Sequence, residues 1–192
     1  MKWVNLAIAA CLVLKSFAQG VSHVRGTLTS FTYTGPSGSR EYTVYTPSGY
    51  SKLSRVPLII VLHGCTQSSS IIMVESEFNT LAEEKQFVVA YASQTVADGY
   101  KACWGYWIPG DQSRGSGTPT SNSFLVDPLI FYAGEPAIIA GIAQTIQSSS
   151  LWIIDSRRTY ITGFSAGAAM SVIGANLNTM LLASSDPKAQ WE

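Results

Sequence analysis

Residues 158–177 read "RTYITGFSAGAAMSVIGANL". A β-branched run leads into Gly163, Phe164, Ser165, Ala166 and Gly167, and a small-residue, helix-like segment leads out. A strand that turns directly into a helix forces its central residue into a strained backbone conformation, which holds that side chain clear of the sheet. The flanking glycines keep neighbouring side chains out of the turn. In a chain with 16 glycines the five-residue pattern GxSxG is weak by itself, so the strand before it and the helix after it carry the reading. Ser165 is the candidate nucleophile. The alternative is a small serine filling a tight connection.

Acyl transfer needs donors for the oxyanion that forms on the carbonyl oxygen. The helix leaving Ser165 offers the Ala166 amide at its N-terminus. A second donor normally comes from the loop after an earlier central strand. "LHGCTQ" at 62–67 stands in that position, and its Cys65 amide is the candidate.

The strands and helices around these two segments set the fold class. From Thr27 to Thr34 and from Arg40 to Thr46, β-branched and aromatic residues alternate with polar ones across "GPSGS", as in a pair of half-buried hairpin strands. "VPLIIVLHG" at 56–64 is a continuous apolar run, as expected of a central parallel strand covered on both faces. Phe78, Leu81, Ala82 and Lys85 follow at helical spacing, and "FVVAYA" at 87–92 resumes the buried-strand pattern. In "GEPAIIAGIAQTIQSSS", Pro136 falls in the first helical turn, and Ile138, Ile142 and Ile146 share one helical face. Strands alternating with helices imply right-handed crossovers and a parallel sheet with helices on both faces.

Length and composition limit the alternatives. A chain of 192 residues holds one substantial core, so one domain is expected. Net charge is zero and charged residues are only 12%, which speaks against nucleic acid or an anionic membrane as partner. Lys2, the apolar stretch Trp3 to Leu14, and the small-x-small pattern of Ser16 and Ala18 read as a secretory signal over residues 1–18. The stretch is shorter than the roughly 20 residues of a membrane span. Removing it takes Cys11 and leaves Cys65 and Cys103, a natural disulfide pair in an oxidising compartment, with two unpaired buried cysteines as the alternative. There is no N-glycosylation sequon.

Taken in order, "PLIIVLHGCTQ", "NTLAEEKQFVVAYASQ", "CWGYW", "DQSRG", "GEPAIIAGI" and "RRTYITGFSAGAAMSV" resemble the secreted α/β-hydrolase esterases of the polyhydroxybutyrate-depolymerase-like group. That group includes the feruloyl and acetylxylan esterases of carbohydrate esterase family 1. The resemblance covers most of residues 40–175. It implies an α/β-hydrolase-type, mostly parallel sheet with helices on both faces, incomplete at the C-terminus, over 19–192. It also implies Ser165 as nucleophile, Cys65 and Ala166 as oxyanion amides, and a Cys65–Cys103 bridge that ties the oxyanion loop to "CWGYW". Trp104 and Trp107 line the substrate pocket on this reading, or else belong to an ordinary aromatic core. The spacing "CWGYW" departs from the family's usual CWNW. The substrate class implied is an ester-bearing polysaccharide or a polyester, with no metal or organic cofactor.

One part of the machinery has no candidate. Members of the group place an acid and then a histidine after the serine. Here Asp186 is the one aspartate beyond Ser165, and no histidine follows. His63 sits in the "HG" pair, where it shapes the oxyanion loop rather than abstracting a proton, and His23 lies just past the signal segment. Asp98, Asp111, Asp127 and Asp155 all precede the serine. The chain as written is therefore expected to be a poor esterase, and a secreted, non-catalytic carbohydrate-binding homologue is the competing expectation. "GTPTSNSFLVDPLIFYA" at 117–133 has neither helical nor strand periodicity. Deleting it joins "DQSRGS" to "GEPAIIAGI", as expected of a translated intron, while its apolar half also suits a lid over the site. An open sheet edge and an uncovered helix face are expected to favour aggregation.

Overall fold

The computed structural model describes residues 25–96, 100–108 and 134–183, with side chains described as far as residue 175. Residues 1–18, expected to be a secretory signal, His23, residues 117–133, expected to be an insertion, and Asp98, Asp111, Asp127 and Asp186 lie outside the described residues.

Five strands form one mixed sheet in the order β1-β2-β4-β3-β5. β1 (Thr27–Gly35) and β2 (Gly38–Thr46) make the expected hairpin. Their pairing runs to Gly35↔Gly38, so the turn is only Pro36–Ser37. Gly38 takes φ 126, a conformation open to glycine and strained for other residues. Each strand is thereby longer than its alternation alone indicated. β2 pairs antiparallel with β4 (Val88–Ala92), while β3 (Val56–Leu62) lies parallel to both β4 and β5 (Ile154–Gly163).

The continuous apolar run of β3 is explained by its two covered faces. Leu58, Ile60 and Leu62 face one core cluster with Val88, Ala90, Ile138, Ile142, Ile146 and Met170. Val61 faces a second cluster with Val89, Tyr91, Ile72 and Ala82. Side chains alternate across a strand, so an element buried on both sides has no polar position to give away.

α3 (Glu135–Ser148) and α4 (Ala166–Ala183) cover the first face, and α1 (Ser69–Glu75) and α2 (Phe78–Lys85) cover the second. α3 starts on Gly134 with Pro136 in its first turn, and its isoleucine stripe is fully buried. Burying each isoleucine contributes about 1.5–3 kcal/mol. α1 carries no strong periodic signal over its seven residues. The Ser68 side chain, which caps it by accepting from the Ile71 amide, is the cue that marks its start.

Candidate active site

β5 ends at Gly163, and α4 starts at Ala166, so Ser165 lies in the bend between them with φ 52. Serine rarely occupies this left-handed region, where the cost is about 1–2 kcal/mol. Close packing on the end of β3 enforces the bend. A Cβ on Gly163 would stand 2.6 Å from the Leu62 carbonyl oxygen, and one on Gly167 would meet the same oxygen at 2.3 Å. The Phe164 amide also donates to that carbonyl at 3.0 Å. Ser165 is exposed, and among the described residues its hydroxyl has no hydrogen-bond partner.

The loop after β3 comes directly against this serine. A Cβ on Gly64 would lie 3.2 Å from the Ser165 Cβ. Among the described residues neither the Cys65 amide nor the Ala166 amide donates to a protein acceptor. Of the six non-glycine residues with positive φ among the described residues, Thr66, Lys101, Ala102 and Ser165 fall on the elbow or on the facing loops. Strain of this kind persists only where surrounding structure over-determines it.

His63 is fully buried at the root of the loop, and both its ring nitrogens are occupied. The Gln94 amide donates to Nε2 at 2.9 Å, so Nε2 is the acceptor and Nδ1 carries the proton. Nδ1 then donates to the Gly64 carbonyl at 2.8 Å. The Gly64 carbonyl and the Cys65 N–H belong to one planar trans peptide. Holding the oxygen therefore sets the direction in which the Cys65 N–H points. Burial keeps the His63 pKa below the ordinary histidine value. With Nε2 already accepting, the ring has no lone pair free to take a proton from Ser165.

A second tether holds the same loop. Cys65 is bridged to Cys103, and the Thr66 amide donates to the Lys101 carbonyl at 2.7 Å. An open cleft of about 640 Å³ lies here, lined by Thr66, Gln67, Val96, Lys101 and Ala102. A smaller cavity of about 280 Å³ lies against Phe164, Val61, Ile72 and Phe78.

The two tryptophans part company. Trp104 is fully buried in the core, 5.7 Å from the His63 ring, so the aromatic-core reading applies to it and it offers a substrate no surface. Trp107 is 44% exposed and packs edge-on against Tyr106. Asp155, at the start of β5, is engaged by Arg157 and by Arg158, the latter at 2.9 Å. It serves the strand end rather than the serine.

Behind the loop lies a buried polar cluster that sequence reading missed. Arg40 Nε donates to Gln94 Oε1 at 2.6 Å, and the Gln94 side-chain amide donates to a Glu135 carboxylate oxygen and to the Cys103 carbonyl. Glu135 also accepts from the Gly105 amide at 2.6 Å and lies 3.8 Å from the Arg40 guanidinium. The one available signal was an isolated arginine among the apolar alternation of β2. Among the described residues no group of three or more His, Cys, Asp or Glu side chains could hold a metal, and no helix is long and apolar enough to cross a membrane.

Known proteins resemble this chain in sequence and in fold. Poly(3-hydroxyalkanoate) depolymerase C of Paucimonas lemoignei is 29% identical over 138 residues, covering 72% of this chain and 28% of the relative. Acetylxylan esterase A of Aspergillus ficuum is 27% identical over 180 residues, covering 88% of this chain and 50% of the relative. The chain thus spans half or less of the length of these curated relatives. Among solved structures, an acetyl xylan esterase from Aspergillus awamori shares the fold at TM-score 0.59 and 23% identity, over 81% of this chain and 49% of that one. A ferulic acid esterase shares it at TM-score 0.51 and 13% identity, over 76% of this chain and 52% of that one. Residues 40–185 match the family described as Esterase PHB depolymerase, and the chain belongs to that family.

Proposed function

We propose that this chain carries the nucleophile half of a secreted serine carboxylic-ester hydrolase. Its substrate is an ester-bearing polymer: feruloyl or acetyl groups on plant-wall polysaccharide, or a polyhydroxyalkanoate-like polyester. Ser165 attacks the ester carbonyl, and the Cys65 and Ala166 amides receive the oxyanion. The ester C–O bond breaks and the alcohol leaves with the serine proton, and water then hydrolyses the acyl-enzyme to the free acid and restores the hydroxyl. The observation that carries this reading is the exposed Ser165 hydroxyl at φ 52, set against a loop whose Cys65 amide has no protein acceptor among the described residues. Names of relatives supply the substrate class, and Trp107 is the remaining aromatic candidate for contacting it.

The occupied ring of His63 sets the rate expected of the chain by itself. Without a base, an oxyanion hole and binding still leave about 10³- to 10⁴-fold acceleration over water. The same observation favours the second reading, a carbohydrate-binding homologue that does not turn over. A fluorophosphonate probe and p-nitrophenyl acetate separate the two. Slow covalent labelling located at Ser165 by mass spectrometry, and lost in Ser165→Ala, is expected of the esterase. A demonstrably folded chain that neither labels nor hydrolyses would leave the binder.

A further inference from the structure

We infer that the buried Arg40–Gln94–Glu135 cluster is a positioning device for the Cys65 amide, with Glu135 as its anchor. The inference rests on the reading of that amide as an oxyanion donor.

Contacts run from Glu135 to the loop by two routes. On the first, the Glu135 carboxylate receives the Gln94 side chain, the Gln94 main-chain amide holds His63, and His63 holds the Gly64 carbonyl. On the second, Glu135 receives the Gly105 amide and the Gln94 side chain donates to the Cys103 carbonyl, on the segment disulfide-linked to Cys65. Both routes converge on one peptide unit, the one joining Gly64 to Cys65.

The cost of burial argues against a purely stabilising role. Arg40, Gln94 and Glu135 are each at least 96% buried. Removing a charge pair from water costs several kcal/mol per ion, and apolar replacements of similar volume are often neutral or stabilising. An acid in the first turn of α3 could serve the helix dipole from an exposed position. It would need neither a buried arginine nor a glutamine held at both ends. What the buried arrangement adds is direction, because the Arg40 Nε–H donates to Gln94 and the two Glu135 oxygens accept from Gln94 and Gly105, each along a set line.

The test uses the full chain with Arg40→Met and Glu135→Leu combined, read by ¹⁵N–¹H NMR, imidazole ¹⁵N shifts and phosphonate labelling. Expected is a folded protein whose Gly64 and Cys65 amide resonances shift and broaden, whose His63 imidazole signals move, and whose Ser165 labels about 10-fold more slowly or worse. If that variant does not fold, Gln94→Leu keeps the ion pair and cuts the link, with the same expected readouts. A folded variant with unchanged amide resonances and labelling rate overturns the inference. Failure of both variants to fold overturns it as well, since the cluster is then a stability element. A wild-type serine that never labels counts against the esterase reading alone, because the resonances report the anchoring independently of chemistry.

Discussion

Ser165 and His63 show at the scale of single residues how the bend and the loop are held. Ser165 adopts φ 52 although it carries a side chain, so the fold bears a local penalty for exposing the hydroxyl. Replacing it with glycine should relieve that penalty, whereas alanine keeps it. Ser165→Gly is therefore expected to be about 1 kcal/mol more stable than Ser165→Ala in urea denaturation. Equal stabilities would mean that the bend is not strained. His63 makes a different prediction. Burial lowers its pKa in the folded state relative to the unfolded value near 6.5. Below that pH the unfolded chain binds the extra proton first, so stability falls as pH drops through the folded-state pKa and is fully present above about 6.5. Urea denaturation at pH 7.5 and pH 5.5 should show this loss, and His63→Asn, which keeps a donor for Gly64 but does not titrate, should show a shallower one.

At the scale of elements, the elbow depends on how closely α4 and β5 approach the end of β3. Gly167, in the first turn of α4, is backbone-compatible with alanine, yet the added Cβ would lie 2.3 Å from the Leu62 oxygen and 2.6 Å from the His63 oxygen. Main-chain atoms cannot step aside as a flexible side chain can. Gly167→Ala is expected to cost about 1–3 kcal/mol, which lowers Tm by about 2–4 °C per kcal/mol in a domain of this size. An unchanged Tm would show that helix and sheet have room to separate. The Cys65–Cys103 bridge closes a sequence separation of 38 residues. In the chain-entropy account its removal costs about 4 kcal/mol. Cys65→Ser combined with Cys103→Ser should show this in denaturant unfolding, together with faster exchange of the loop amides. The helical spacing of α2 and α3 and the apolar runs of β3 and β4 were legible because periodicity is a local property. α1 was not, because seven residues with one capping serine barely complete a repeat.

Across the whole molecule, the two sheet edges differ. β1 carries no charged residue, whereas β5 carries Asp155, Arg157 and Arg158 at its start. Further along β5 and into α4, Tyr160 and Phe164 are more than half exposed, and so is Val172. Clustered apolar exposure beside an edge that pairs with no other strand among the described residues invites association. The chain is expected to associate with rising concentration in light scattering, and Tyr160→Lys with Val172→Lys should shift it toward monomer at unchanged far-UV circular dichroism. Concentration-independent scattering would remove this expectation.

The sequence by itself determined the strand-and-helix order, the strand-serine-helix bend and its partner loop, because these depend on residues near one another in the chain. It also showed, through the family resemblance, that Cys65 and Cys103 belong together, a pairing present in the folded chain. Only the tertiary structure decided what His63 and Trp104 do. A histidine's role follows from which groups reach its two nitrogens, and Gln94 reaches Nε2 from a different strand end. The same holds for Arg40 and Glu135, whose meeting behind the loop follows from β2, β4 and α3 converging there. Donor and acceptor pairing across long sequence separations leaves no periodic trace, so it exists only once the sheet has formed.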